Sequence, residues 1–425
     1  MNRRTVALLL LLMPVTLNTR AFAQTENAQV SRIAQMRPVH EASGWFRSHE
    51  NEFRRIQMEM LRIPAPPFGE GKRAEWLRDR FTQLGLQEVE IDKVGNVTGL
   101  RRGQDPKAKL LAITAHIDTV FPPDTPVNPR LEGSRILGPG ASDNAAGVMG
   151  LYAVAAALQK FPVNHTAGIL FVGNVGEEGE GDLRGIRHLF TDSKWASRIG
   201  PTLVVDGSGT DTVVTQALGS RRFEVTVRGP GGHSWSDYGL PNPIVILSRA
   251  VAQFSSTPVP ADPRTSINVG VIQGGTSVNS IPDAAAMRVD IRSASMQEID
   301  RLEKALRDAV ADAVRVHQAV RSRRPVISYE VKEIGERPAA ELKSDARILA
   351  VIRSVDTLLS LPSEPRRAST DANIPISMGR EAISIGAGGS GGGAHSLNEW
   401  FDTSGRDLGL KRIYLTTLTL TGVTE

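Results

Sequence analysis

Two histidines and several carboxylates stand where apolar stretches of this chain give out. Glu177 and Glu178 follow the run Ile169-Leu-Phe-Val-Gly-Asn-Val-Gly. His116 and Asp118 close Leu110-Leu-Ala-Ile-Thr-Ala, Asp206 follows Leu203-Val-Val, and His395 emerges from a glycine-rich loop after Ile383-Ser-Ile385. Asp143 lies in Gly138-Pro-Gly-Ala-Ser-Asp-Asn-Ala-Ala-Gly147, a loop that opens onto an apolar helix. Taken singly, a His-x-Asp is more often a hydrogen-bonded core pair, and an acidic pair is usually solvated surface. As an ordered set they read differently. A carboxylate at the end of a buried run carries a large desolvation penalty unless something compensates its charge. A cation removes that penalty, and imidazole with carboxylate suits a hard-to-borderline divalent ion.

The elements that must position these residues follow from the pattern. Short apolar runs alternate with helical periodicity, giving β, α, β, α, β as far as Asp206, so a mostly parallel sheet with helices on both faces is expected. Such sheets present ligands at the carboxyl ends of their strands, where glycine admits close backbone approach. After Asp206 the texture changes. Strand–helix–strand–strand–helix–strand between Arg221 and Ile334 describes a two-layer, ferredoxin-like α+β unit inserted into the first domain. The expected division is a leader over 1–23, a catalytic domain over 24–215 and 337–425, and an inserted lid or dimerisation domain over 216–336. Residues 24–40 read as a poorly specified lead-in, and Ala42–Leu61 as one helix.

Composition narrows the chemistry. The 425 residues contain no cysteine, which excludes thiolate zinc sites, disulfides and a cysteine nucleophile. Met1-Asn-Arg-Arg, the run Val6–Met13 and Ala21-Phe-Ala23 have the form of an export signal cut after Ala23, with a retained anchor as the alternative. A secreted, periplasmic protein is therefore expected, by the general export route or by a twin-arginine one. The 50 basic and 46 acidic residues give a net charge of +4, but Arg3, Arg4 and Arg20 belong to the leader, leaving 47 against 46. Neither a nucleic-acid partner nor, after cleavage, a membrane partner is implied.

The motifs His116-Ile-Asp118, Ser142-Asp143-Asn-Ala-Ala-Gly147, Gly176-Glu177-Glu178, Asp206, Gly232-His233-Ser234, Asn279-Ser-Ile-Pro282 and His395 resemble those of the di-zinc exopeptidase family of glutamate carboxypeptidase, aminoacylase and peptidase T. The resemblance covers nearly all of the sequence after the leader. It implies two Zn2+ ions, with Co2+ or Mn2+ as replacements. His116 and Asp206 would hold one, Glu178 and His395 the other, and Asp143 would bridge both. It further implies Glu177 as general base, Asp118 as the carboxylate that orients His116, and His233 as an oxyanion donor reaching a partner subunit of a homodimer. Many members carry aspartate where Asn144 stands. Asn279, Arg292 and Gly393 are expected to contact substrate. Each also has a plainer reading, as a loop amide, a surface strand arginine and a flexible loop glycine.

The expected activity is hydrolysis of a terminal peptide bond of small peptides by a water shared between two cations. An amidohydrolase acting on N-acyl or N-carbamoyl amino acids and a catalytically silent peptide-binding relative are the alternatives. A single-domain zinc aminopeptidase fold would lack the insertion that carries His233 and Asn279. Asp371 resembles a site-lining residue without an assigned contact, and His40, His49, His165, His188 and His317 read as surface or packing residues.

Overall fold

A computed structural model describes residues 25–319 and 327–424, so the expected leader lies outside the described residues. The chain divides into two units, one formed by residues 1–216 with 341–425 and the other by 217–340.

The larger unit is built on a mixed sheet. From one edge its strands run Gln87–Ile91, Val97–Arg101, Ile169–Asn174, Leu110–His116, Ile199–Val205, Ala382–Ile385, Thr212–Ala217 and Ala340–Glu341, with Glu364–Ala368 paired to Thr212–Ala217. The four central strands are parallel, and antiparallel neighbours flank them. Central strands covered on both faces must be apolar throughout, because each side chain meets one core or the other. On the His116 strand Leu111, Ile113 and Ala115 enter one core, while Leu110 and Ala112 enter its opposite. Helices Ala145–Lys160, Arg347–Leu359 and Arg406–Thr421 contribute to the first core and Arg184–Thr191 to the second.

Three details differ from the sequence reading. Residues 25–35 are helical, with Val30 and Ile33 wholly buried one helical turn apart, so this lead-in belongs to the core. The stretch read as one helix is two, Arg37–Ser48 and Glu50–Leu61, separated at His49 (φ −105°, ψ 13°). That break accounts for the loose spacing of its apolar residues. The strand Thr212–Ala217, whose Thr212, Thr215 and Gln216 conceal it, adds an antiparallel neighbour beside Ala382–Ile385.

A buried ion pair ties two of the helices together. Arg412 Nε and Nη2 donate to Asp356 Oδ1 and Oδ2 at 2.6 and 2.7 Å, a bidentate geometry that satisfies both charges away from water.

The second unit is a four-stranded antiparallel sheet ordered Thr265–Gly274, Ala284–Ser293, Gly219–Arg228 and Ser328–Arg337. Phe223, Val225 and Val227 alternate with polar neighbours and pack with Met287, Val289 and Ile291 against the helices Pro243–Ser255 and Met296–Ala319. Asn242 caps the first helix through Ile244 N and Val245 N, with Pro243 preset at its first position. This is the ferredoxin-like arrangement.

Candidate metal centre

The register of the parallel strands brings the chemistry to one end of the sheet. His116 pairs with Asn174, so the segment bearing Glu177 and Glu178 leaves the sheet beside His116. The neighbouring strand ends at Val205, one residue before Asp206. Asp143 and His395 come from loops. Asn144, joined to Asp143 by a cis peptide, holds the first of these loops in place. Its Oδ1 accepts from Gly147 N, capping the helix Ala145–Lys160, and from Gly207 N, both at 3.0 Å. Its Nδ2 donates to Val205 O at 3.0 Å. Asparagine supplies both the donor and the acceptor needed there; an ionised aspartate supplies only acceptors.

Two triads result. His116 Nε2 lies 3.1 Å from Asp143 Oδ1 and 3.6 Å from Asp206 Oδ1. His395 Nε2 lies 3.1 Å from Asp143 Oδ2 and 3.0 Å from Glu178 Oε1. Asp143 thus turns one oxygen to each triad, and within each the ligand atoms lie inside 4.8 Å of one another. Ligands about 2.0–2.1 Å from a tetrahedral zinc stand about 3.3–3.4 Å apart, a spacing the observed 3.0–3.6 Å separations straddle. The donor set fits two such ions sharing one carboxylate. Glu177, also buried, joins His116 and Glu178 in a third group of this kind.

The electrostatics of the protein alone favour positive charge here. The carboxylates of Asp143 and Glu178 push His395 up to about 10, against some burial of the ring. Burial opposes protonation of His116, yet Asp118, Asp143 and Asp206 raise it well above its ordinary value. Burial acts against ionisation of Asp143 too, but the facing imidazoles hold it below the usual carboxylate range. A cation bound at these imidazoles would compete with their protons, the expected linkage between metal binding and proton release.

Asp118 stands beside His116 and holds the glutamate pair as well. Its carboxylate is fully buried and accepts from Glu177 N at 3.1 Å and Glu178 N at 2.8 Å. His116 Nδ1 lies nearer the backbone carbonyl of Asp118, at 3.2 Å, than its Oδ1, at 3.6 Å. The side chain therefore grips the glutamate pair, and its carboxylate and the main-chain carbonyl of Asp118 both face the imidazole. Asp371 receives Asn174 Nδ2 at 2.7 Å, and burial pushes its carboxyl up to about 7. Gly393 has φ +69°, and its carbonyl accepts Ser396 N at 3.0 Å, turning the chain at His395.

Within the inserted unit, Gly232 and His233 pair with Ile281 and Ser280, and Ser234 N donates to Asn279 O at 3.0 Å. This brings His233 beside the turn that carries Asn279. His233 Nδ1 accepts from Trp235 N at 3.1 Å, so the neutral ring carries its proton on Nε2. Arg292 is not gathered with them. It stands at the other end of its strand, about 26 Å from Ala284 at about 3.3 Å per residue. Its Nε is engaged by Asp290 Oδ2 at 2.7 Å.

Several buried polar residues with no signal in the sequence complete the site. Arg73 donates to Ile63 O and Ile117 O, holding the turn after His116. Asn96 Oδ1 accepts Val175 N at 3.1 Å and its Nδ2 donates to Gly185 O at 2.9 Å, fixing both ends of the Glu177 loop. Glu399 binds the loop of Asp143. Each reads in sequence as an ordinary surface residue, since its partners are remote in the chain.

Residues 112–418 match the model of peptidase family M20/M25/M40. The chain is 31% identical to a probable carboxypeptidase of Aspergillus clavatus over 272 residues, 58% of each protein, so the match spans little more than half that relative's length. It is 24% identical to a peptidase T-like protein of Yersinia pestis, over 71% of this chain and 80% of that one. Among solved structures, a tripeptidase of Staphylococcus aureus superposes with a TM-score of 0.69 at 19% identity, covering 88% of this chain and 98% of that one. The dipeptidase Dug1p of Saccharomyces cerevisiae superposes at 0.71 and 13%, covering 91% and 99%.

Proposed function

The chain belongs to peptidase family M20/M25/M40 and is a metal-dependent hydrolase, and from that premise we propose that it is a secreted zinc exopeptidase that cuts a terminal peptide bond of short peptides. The observation that carries this reading is the division of Asp143 between two His–carboxylate triads with Glu177 alongside. Ions held by His116, Asp143 and Asp206 and by Asp143, Glu178 and His395 would supply Lewis acidity and lower the pKa of water. The residues of the chain do the rest. Glu177, oriented through its own N–H by Asp118, takes a proton from the attacking water and gives it to the departing amine. The Nε2–H of His233 is a donor for the developing oxyanion, supplied across a homodimer. Asn279, beside it, hydrogen-bonds the substrate backbone.

The test combines metal analysis with a substrate panel. Purified mature protein is expected to hold two zinc ions, and to hydrolyse dipeptides or tripeptides in preference to N-acetyl and N-carbamoyl amino acids. Glu177→Gln should keep both ions and lose about 10²–10⁴ in kcat. A wild-type protein without stoichiometric divalent ion sinks the reading. Turnover confined to the N-acyl or N-carbamoyl compounds selects the amidohydrolase alternative.

A further inference from the structure

We propose that Glu399 is a positioning residue that locks the Asp143 loop to the His395 loop and thereby sets the affinity of the ion held by Asp143, Glu178 and His395. The inference rests on the metal-centre reading above and extends it to a residue outside both triads.

The geometry is unusually complete. Glu399 Oε1 accepts from Ser142 N, Ser142 Oγ and Asp143 N, and its Oε2 accepts from Gly140 N, all at 2.8 Å. Its backbone carbonyl accepts Gly138 N at 2.9 Å. Beyond this point the contact continues as a short antiparallel ladder, with Trp400, Phe401 and Asp402 opposite Leu137, Ile136 and Arg135. Glu399 is 1% exposed. Among the described residues no cationic side chain is recorded as its partner; dipoles of the Asp143 loop carry the charge instead. An anion buried this way is costly to place unless its oxygens are hydrogen-bonded. Three donors on Oε1 and one on Oε2, all from one loop, give both oxygens partners and fix the backbone of Asp143 itself.

His395 lies four residues before Glu399, so the side chain that grips the Asp143 loop stands on the segment that carries a second ligand of this triad. The other triad has a separate support. Asn144 ties its part of the loop to Val205 and Gly207, and His116 and Asp206 sit on strand ends. Loosening Glu399 therefore acts unequally on the two ions. Supporting groups of this sort contribute about 10- to 100-fold in metal affinity.

The test titrates metal-free wild type and Glu399→Gln with Zn2+, and records Co2+ absorption spectra and the melting of both metal-free proteins. The amide places donors against donors at one oxygen while keeping the volume. Expected is a dissociation constant about 10- to 100-fold weaker for one ion and within about threefold for the other. The Co2+ bands should change and the metal-free melting temperature should stay close to wild type. Two unchanged constants overturn the proposal, as does equal weakening of both ions accompanied by a lowered metal-free melting temperature. If Glu399→Gln does not fold, Ser142→Ala removes one hydroxyl donor alone. A smaller loss confined to the same ion supports the proposal, and unchanged titration overturns it. Wild-type protein that binds no divalent ion sinks the underlying metal-centre reading, a failure distinct from these.

Discussion

The carboxylate of Asp118 receives the backbone N–H of Glu178 at 2.8 Å, and its second oxygen receives that of Glu177. One buried side chain thus aims both the proposed ligand and the proposed base. Asp118→Asn presents an amide nitrogen to one of those N–H groups and loses an acceptor. The variant is expected to bind divalent ions about 10- to 100-fold more weakly, by the usual effect of removing such a support. It should also lose kcat even at saturating metal, because Glu177 is released too. Metal titration with steady-state kinetics at excess Zn2+ measures both; normal kcat at saturation removes the second half.

Gly176, immediately before the glutamate pair, has φ +66°. A Cβ there would collide with Arg184 Nη1. Arg184 has little freedom to retreat, since Nη2 contacts both oxygens of buried Glu70 at 2.7 Å and the guanidinium lies over the ring of Phe68. Gly176→Ala should destabilise the fold by about 1–2 kcal/mol for the left-handed backbone alone. Urea unfolding gives the number, and wild-type stability would contradict the argument.

Removing one partner of the Arg412–Asp356 pair strands a charge in the interior. Arg412→Met should cost about 3–5 kcal/mol, with most of it recovered when Asp356→Leu is added. Chemical denaturation of the two single variants and the double variant tests the pair, and additive losses would show that the charges are independent.

His165 supplies a pH test. Burial, with Arg101 nearby, holds its ring below the ordinary histidine value, and its Nδ1 lies 2.6 Å from Ala167 O. Above about pH 6.5 both folded and unfolded chains carry it neutral, and it contributes no pH dependence. As pH falls through that value the unfolded chain takes up a proton first, so stability is lost toward acid. The difference in urea midpoint between pH 8 and pH 5 should be smaller in His165→Gln than in wild type. Equal differences would exclude the ring as a contributor.

The convergence of His116, Asp143, Glu178, Asp206 and His395 was legible because each follows a local pattern, an apolar strand or a glycine loop giving way to a ligand-type side chain. The two-layer insertion was legible for the same reason, through its alternating strands. Glu399 was not. Its grip depends on residues 135–143 meeting residues 399–402, a pairing no local periodicity records. Nor was the helix over 25–35, where Val30 and Ile33 supply too few apolar positions to declare a face. The split at His49 and the polar-looking strand at Thr212 were hidden because neighbours in space, not in sequence, decide them.

The points where residues 217–340 depart and return are themselves adjacent. Leu342 N donates to Thr215 O at 2.9 Å, and Gln216 Nε2 donates to Glu341 Oε1 at 2.8 Å, both bonds lying within the larger unit. A loop whose stems are already joined can be excised at small entropic cost to what remains. Bridging Gln216 to Glu341 with a tight glycine turn should therefore yield a minimal scaffold that retains its ion sites while lacking His233 and Asn279. Expressed alone, that scaffold would separate ion capture from turnover as two physically detachable properties.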